Sequence, residues 1–354
     1  MSAELFELLA AQAASEGQPV AEPRQARFIK KLSDDDAALM AAAKAYEALI
    51  VTRQIRLVRI RHADKTYFCT FGLPSPEIIP PGLEVVDATP GLFAVAVLTA
   101  KVRPISSYPA TGSQAFAIKD LLDTQYMGSA GYEGHELDDV ARLFPELTVY
   151  RASEDRAYLE IDERVLGSIL VRAYIDGPIA MDDETLVTLT RVFEDDSDLI
   201  PFRNLVQGFL SISWENLFVE IYRCIEQLYA LPRIEALKAE LTYPSAAREL
   251  AKILEDRLAW RPKEADAFEA LVRMCDEAIV SRLFGGLESA AKDSHSERCA
   301  DAVSELYNLR NRIVHYRPAH DRIAKSDESW NVIIRGMLDV VAQLYNTKAA
   351  SYFA

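Results

Sequence analysis

Leu210, Trp214, Leu217, Phe218, Ile221, Ile225 and Leu228 recur at intervals of three and four residues. That spacing places them on one face of a long amphipathic helix, which Pro232 is expected to end. Pro244-Ser245 opens a second helix running to about Trp260, and Pro262 opens a third that stops at Gly285-Gly286, where glycine suits a C-terminal cap. After a polar stretch a fourth runs from near Ser296 to about Tyr316, where Pro318 blocks its continuation. Trp330 to Tyr345 supplies the last, with Ile333, Met337, Val340, Val341 and Leu344 inward. Five helices joined by short connections predict an antiparallel bundle over residues 199–354.

The first part of the chain has another texture. Ser2 to Ala14 reads as a short amphipathic helix whose Glu4 and Glu7 argue against a secretory signal. A helix over Asp35 to Leu49 precedes two β-rich runs, Ile55 to Arg61 and Thr66 to Phe71, separated by His62-Ala63-Asp64-Lys65, which is a hairpin pattern. Leu92 to Leu98, Leu147 to Arg151, Ala157 to Ile161 and Ile169 to Tyr174 are further strand candidates, with helices near Ala115 to Leu122 and Leu137 to Leu143. The chain of 354 residues exceeds what one core usually serves. The expected fold class is therefore α+β, with a small N-terminal α+β domain at 1–198 followed by an all-α antiparallel bundle at 199–354. The acidic run Glu194-Asp195-Asp196-Ser197-Asp198 reads as a solvated hinge between them.

Chemistry concentrates in the fourth helix of the bundle, in YNLRNRIVHYRP. On a helix from Asp301 to Arg317, Val303, Leu306, Tyr307, Leu309, Ile313 and Val314 form one apolar arc, and at ~100° per residue Arg310 falls near its middle. A guanidinium there needs either an internal carboxylate or a cleft at a second subunit, because burying it unpaired costs several kcal/mol. Asn311 lies four residues before His315, on the same face, whereas Arg310 and His315 are ~140° apart. The segment thus offers a phosphate-binding cation, a polar orienting group and an imidazole, which titrates near ~6.5 and suits proton transfer.

An arginine, a polar residue, three variable residues and a histidine, late in a helical bundle, resemble the signature of the HEPN (higher eukaryotes and prokaryotes nucleotide-binding) domains, over roughly Leu199 to the C-terminus. What the resemblance implies is a bundle of the HEPN type and a metal-independent RNA endonuclease, without cofactor, in a prokaryotic toxin or anti-phage defence setting. It also implies a homodimer through the C-terminal bundle, with two copies of Arg310, Asn311 and His315 around one RNA, and Arg312, Tyr316 and Arg317 contributing to substrate binding. One branch of the family carries a tyrosine two positions after the histidine; here that position is Arg317 and the tyrosine is Tyr316, so the likeness does not extend to that branch. The competing reading is a non-catalytic dimerisation or partner-binding module with a ligand-sensing N-terminal domain. Under either reading residues 1–198 regulate or recruit, and a regulatory protein or ligand is expected there.

Composition narrows the partners. A net charge of −15 opposes a nucleic-acid grip over the whole surface, so any RNA site must be local. Two local basic zones exist: Arg53, Arg56, Arg59, Arg61 and Lys65, read as a solvated strand face, and Arg310, Arg312, Arg317, Arg322 and Lys325 around the motif. Cys69, Cys224, Cys275 and Cys299 are scattered with no CxxC pair, which supports neither a zinc knuckle nor a disulfide framework and fits the cytoplasm. Gly128, Gly131 and Gly134 read as a surface loop rather than a phosphate cradle, and Asp34-Asp35-Asp36 as a helix N-terminal cluster rather than a cation site. No apolar run reaches the ~20 residues of a spanning helix, so no membrane association is expected.

Overall fold

In the computed structural model, which describes residues 2–21, 26–105, 113–124, 132–174, 177–285, 287, 294–315 and 323–353, the first helix, α1 (Ser2–Ser15), buries Leu5, Phe6, Leu9 and Ala13 along one stripe. The Ser33 hydroxyl caps α2 (Asp34–Ala42) by accepting the Asp36 N–H. That helix stops well short of Leu49. The residues beyond it are extended instead, because β1 (Lys44–Ala45) and β2 (Leu49–Ile50) both pair antiparallel with β3 (Arg56–His62). The hairpin of β3 and β4 (Lys65–Phe71) is the one the alternation predicts, with His62 opposite Lys65 and Ala63 at φ 53° in the tight turn.

Next come β5 (Leu83–Val86), α3 (Pro90–Ala100), α4 (Ser113–Thr124), α5 (Leu137–Ala141) and β6 (Leu147–Ala152). The sheet is antiparallel throughout its main path, in the order β1-β3-β4-β6-β5. Val58, Ile60, Cys69, Phe71 and Val149 on its inner face pack with α1 and α3 side chains. Leu92 to Leu98, expected as a strand, is the interior of α3. Thr89 accepts the Leu92 N–H and Pro90 fills the first turn, a cap pattern that outweighs the run's apolar continuity. Nearly every residue of α3 is buried, so it has no polar face to announce its helical period. The Asp36 carboxylate accepts the Gly91 N–H at 2.7 Å, and a Cβ on Gly91 would stand 2.5 Å from that oxygen. The aspartate cluster therefore ties two helix starts together.

Arg53 and Lys65 are exposed, as a solvated face requires, but Arg56, Arg59 and Arg61 are engaged by partners. Arg59 pairs with Asp162 at 3.1 Å, Arg61 with Glu160 at 2.9 Å, and both guanidinium groups lie over the Tyr46 ring. Glu160 ends a 3₁₀ turn, Ala157–Glu160, where a strand was expected. Arg56 donates to the Ala100 and Lys101 carbonyls at the end of α3.

The division between the two compact units falls at Asp162/Glu163 and not at 198/199. Ile169 to Tyr174, expected as a strand, belongs mostly to α6 (Asp162–Arg172). The acidic run closes α7 (Asp183–Glu194) and is compensated inside the second unit, which corrects the hinge reading. Glu194 accepts from Arg172 at 2.9 Å, Asp198 pairs with the buried Arg164, and Asp196 and the Ser197 N–H both bond Asn346 at 2.8 Å. These partners tie the run to the second unit, although Asp195 and Asp198 remain exposed.

The rest of the second unit is α8 (Phe202–Phe209), α9 (Trp214–Glu226), α10 (Leu231–Leu241), α11 (Ala247–Leu258), α12 (Glu264–Val272), α13 (Glu277–Gly285), α14 (His295–Val314) and α15 (Asp327–Leu344), then a π turn at Tyr345–Ala349 and α16 (Ala350–Phe353). The expected first bundle helix is essentially α9, shortened at its start: Leu210 is the C-cap of α8, and Ser213 caps α9 by accepting the Asn216 N–H. Pro232 does not end a helix; it occupies the first turn of α10, where its missing N–H costs nothing. The helix expected from Pro262 to Gly285 is two, α12 and α13. The unit is all-helical among its described residues, and the chain as a whole is α+β.

At the centre of this unit Asn331 of α15 is buried and satisfied on both ends. Its Oδ1 accepts from the Asp182 N–H at 3.0 Å and the Thr185 hydroxyl at 2.8 Å, and its Nδ2 donates to the Ala180 and Asp327 carbonyls at 2.9 and 3.0 Å. Asp339 accepts from Arg191 at 2.8 Å one face further along. A fragment beginning at Leu199 removes α6 and α7 and strands these groups, at about 1–3 kcal/mol for Asn331 alone. Urea unfolding should therefore show a cooperative transition for residues 163–354 and a much weaker or absent one for 199–354; equal stability would contradict the boundary.

His135 is fully buried, its ring tilted against Phe6 at 4.9 Å, and burial, with the Arg27 charge, lowers its pKa to about 4. The unfolded chain takes up that proton near pH 6.5, so the stabilisation is complete above that pH and is lost as pH falls towards 4, on the order of 3 kcal/mol in all. The wild type should lose about 2 kcal/mol more stability between pH 7 and 4.5 than His135→Phe in paired urea titrations. Parallel losses would refute it.

Candidate functional site

The motif lies at the C-terminal end of α14. A serine N-cap starts this helix: the Ser294 hydroxyl accepts the Glu297 N–H and donates to the Glu297 carboxylate. Cys299, Ala302, Val303, Leu306 and Leu309 form its buried stripe. The stripe ends there, because Val314, which the sequence places on the apolar arc, is 47% exposed.

Arg310 is the first of the predicted residues to find an environment, and it is an ionic one. Its Nη2 donates to Glu226 Oε1 at 2.8 Å, and its Nη1 lies 3.7 Å from Glu264 Oε2. Only 16% of the arginine side chain is exposed, against 27% and 47% for the two carboxylates. Helix ends explain the arrangement. Glu226 is the last residue of α9, where the dipole is negative and welcomes a cation, while Glu264 is the first of α12, where a carboxylate is favoured.

Aromatic rings support the guanidinium from behind. Its Cζ stands 5.9 Å from the Tyr222 ring centroid, Phe268 meets that ring edge-on at 5.1 Å, and the Tyr229 hydroxyl donates to the Tyr222 hydroxyl at 2.8 Å. Burial pushes both phenols far above their ordinary range, so neither serves as a base near neutrality. For Arg310 burial acts downward, but the charge and hydrogen bond of Glu226, with Glu264, outweigh it and raise the pKa.

Asn311 faces the arginine rather than the histidine. Its Oδ1 accepts from Arg310 Nη1 at 3.1 Å, and its contribution to His315 is through the backbone, where its carbonyl accepts the His315 N–H at 2.9 Å. His315 caps α14, its side chain exposed. Arg312 is exposed on the same turn. Tyr316 and Arg317 lie outside the described residues, as do Arg322 and the glycines Gly128 and Gly131. Lys325 pairs with Glu305 at 3.5 Å, so two cations of the expected basic zone, Lys325 and Arg310, are already neutralised by carboxylates.

Among the described residues no group of three or more His, Cys, Asp or Glu side chains is placed to hold a metal ion. The four cysteines are buried and unbridged, and burial raises each thiol, Cys69 and Cys275 to about 12, so none is a ready nucleophile. No described helix is long and apolar enough to cross a membrane.

Sequence reasoning missed Glu226, Glu264, Tyr222 and Tyr229. Glu226 precedes Arg310 by 84 positions, and nothing in the local pattern links them. Arg310→Ala should cost about 1–3 kcal/mol, between an exposed and a buried pair, and Glu264→Gln less than about 1 kcal/mol. Thermal and urea unfolding check both. An unchanged Arg310→Ala would mean that the pair does not persist in solution.

No protein-family model, curated protein or solved structure matches the chain, so the reading of this site rests on its own residues and geometry.

Proposed function

We propose that the chain is a metal-independent RNA endonuclease of the HEPN type, acting as a homodimer in which two α14 helices present Arg310, Asn311 and His315 to one strand. The supporting observation is the grouping at one helix end of a guanidinium hydrogen-bonded to Asn311 and an exposed imidazole one turn later. In the reaction the ribose 2′-oxygen attacks the adjacent phosphorus and loses its proton to a base. The bond to the 5′-oxygen of the next nucleotide breaks, and that oxygen takes a proton. The products are a 2′,3′-cyclic phosphate and a 5′-hydroxyl. One His315 would take the 2′-proton as base and then, as its conjugate acid, return a proton to the leaving 5′-oxygen. Arg310 would exchange Glu226 for the phosphate and stabilise charge on its oxygens, and Asn311 would hold the guanidinium in plane. Arg312, Tyr316 and Arg317 would extend the contact to the strand. The N-terminal unit, Met1–Asp162, would sense a trigger or recruit a partner.

A second reading draws support from the Glu226 and Glu264 pairs, since an arginine so held also serves a purely structural purpose. In that case the bundle is a dimerisation or partner-binding module. Cleavage assays separate the two. His315→Ala should leave stability nearly unchanged yet lower cleavage of single-stranded RNA by about 10²–10⁴-fold, and the wild-type reaction should survive EDTA and leave cyclic phosphate ends. Wild-type cleavage by His315→Ala, or full inhibition by chelator, would eliminate this mechanism; a folded wild type that cleaves no RNA would favour the binding module.

A further inference from the structure

Both terminal nitrogens of Arg310 are already engaged. Nη2 donates to Glu226 Oε1 at 2.8 Å, Nη1 donates to Asn311 Oδ1 at 3.1 Å, and Glu264 Oε2 stands 3.7 Å from Nη1. A guanidinium grips a phosphate best through two parallel N–H groups, and these nitrogens are the ones that supply them. The contacts that orient the arginine therefore also bar a phosphate from it. The three acceptors are not equivalent. Asn311 is neutral and sits next to Arg310 on the same helix, so it travels with the arginine. Glu264 is the more exposed carboxylate and lies beyond hydrogen-bond distance, so it contributes a screened charge. Glu226 combines a charge, a short hydrogen bond and a mostly buried side chain, and it is the contact a phosphate must displace.

Glu226 also has a second place to go. It lines a cleft of about 400 Å³ whose walls include Arg248 and Lys252, one turn apart on α11. Neither cation makes an ion pair among the described residues; Arg248 lies over the Phe353 ring at 5.3 Å. Rotation of the Glu226 side chain into that cleft gives up Arg310 and turns the carboxylate towards these two cations. Its charge is then compensated in both positions, which is what a two-state contact requires.

We propose that Glu226 is an autoinhibitory latch on Arg310. Closed, it keeps the guanidinium from phosphate; open, with its carboxylate turned to Arg248 or Lys252, it frees the fork for a phosphodiester. Glu264 adds a weaker hold in the same direction. The effect of the latch on cleavage rests on the proposed ribonuclease reading, whereas its control of anion access to Arg310 does not. With an open fraction on the order of one tenth, removing the latch raises the apparent affinity for a phosphodiester strand about tenfold.

The test uses the full-length protein and a short single-stranded oligoribonucleotide with 2′-O-methyl groups, which binds but cannot be cleaved, followed by fluorescence anisotropy. Cleavage of the unmodified strand is measured in parallel, and each variant is checked by melting temperature. Glu226→Gln should tighten binding about tenfold. Glu226→Asp keeps the charge but shortens the side chain by one methylene, so it should also tighten binding, which a general loss of negative charge would not produce. Glu255→Gln removes a carboxylate of the same cleft that is held by Arg261 at 2.8 Å, and should leave affinity nearly unchanged. The gain in Glu226→Gln should vanish when Arg310→Ala is added. The latch is overturned if Glu226→Gln binds no tighter than Glu255→Gln, if the gain is absent from Glu226→Asp or survives Arg310→Ala, or if neither the wild type nor Glu226→Gln binds the strand. If the Arg310-dependent gain is found but neither protein cleaves the unmodified strand, the latch stands and the ribonuclease reading fails. If the wild type cleaves through His315 and Glu226→Gln binds and cleaves as the wild type does, the latch fails and the ribonuclease reading stands.

Discussion

The second unit depends on the rule that a largely buried guanidinium must have a counter-charge. Arg310 meets it with Glu226 and Glu264, and in doing so joins the end of α14 to the end of α9 and the start of α12. Three helix termini converge on one charge. The same convergence defines what chemistry is available, since an arginine engaged by carboxylates is oriented and charged but already occupied. A phosphate has to compete with Glu226 for it. The exchange is reasonable energetically because it replaces one charge-assisted hydrogen bond with another of similar strength, about 1.5–3 kcal/mol.

Local compensation recurs across a strongly acidic chain. Arg59 and Arg61 meet Asp162 and Glu160 over Tyr46, and the acidic run at 194–198 is taken up by Arg172, Arg164 and Asn346. These clusters are fold determinants: each pairs residues from separate elements and fixes how those elements meet.

The elements legible in the sequence are those with one polar and one apolar face. The β3–β4 hairpin, α9, α14 and α15 all show their period, and all occur close to where the pattern places them. Segments buried on every side do not show a period: α3 and the end of α6 read as strands because Leu92 to Leu98 and Ile169 to Val171 offer no polar face, and only the Thr89-Pro90 cap signalled a helix in the first case. The unit boundary was misplaced for a related reason. A run of five polar, mostly acidic residues looks solvated until the arginines that bind it, contributed by α6, are in view. At the site, the grouping of Arg310, Asn311 and His315 on one helix end was legible, and the demand of Arg310 for a carboxylate or a cleft followed from its place among apolar neighbours. Which carboxylates answer it was not, since their contact is set by tertiary packing.

The central claim is that Arg310 and His315 are complementary parts of one RNA-cleaving site shared by two chains. Co-expression of Arg310→Ala and His315→Ala chains tests it most directly, because each mixed dimer keeps one arginine and one histidine across the interface. The account predicts that mixed dimers regain RNA cleavage that neither variant shows alone. Mixed dimers that form yet cleave no better than the separate variants would contradict it.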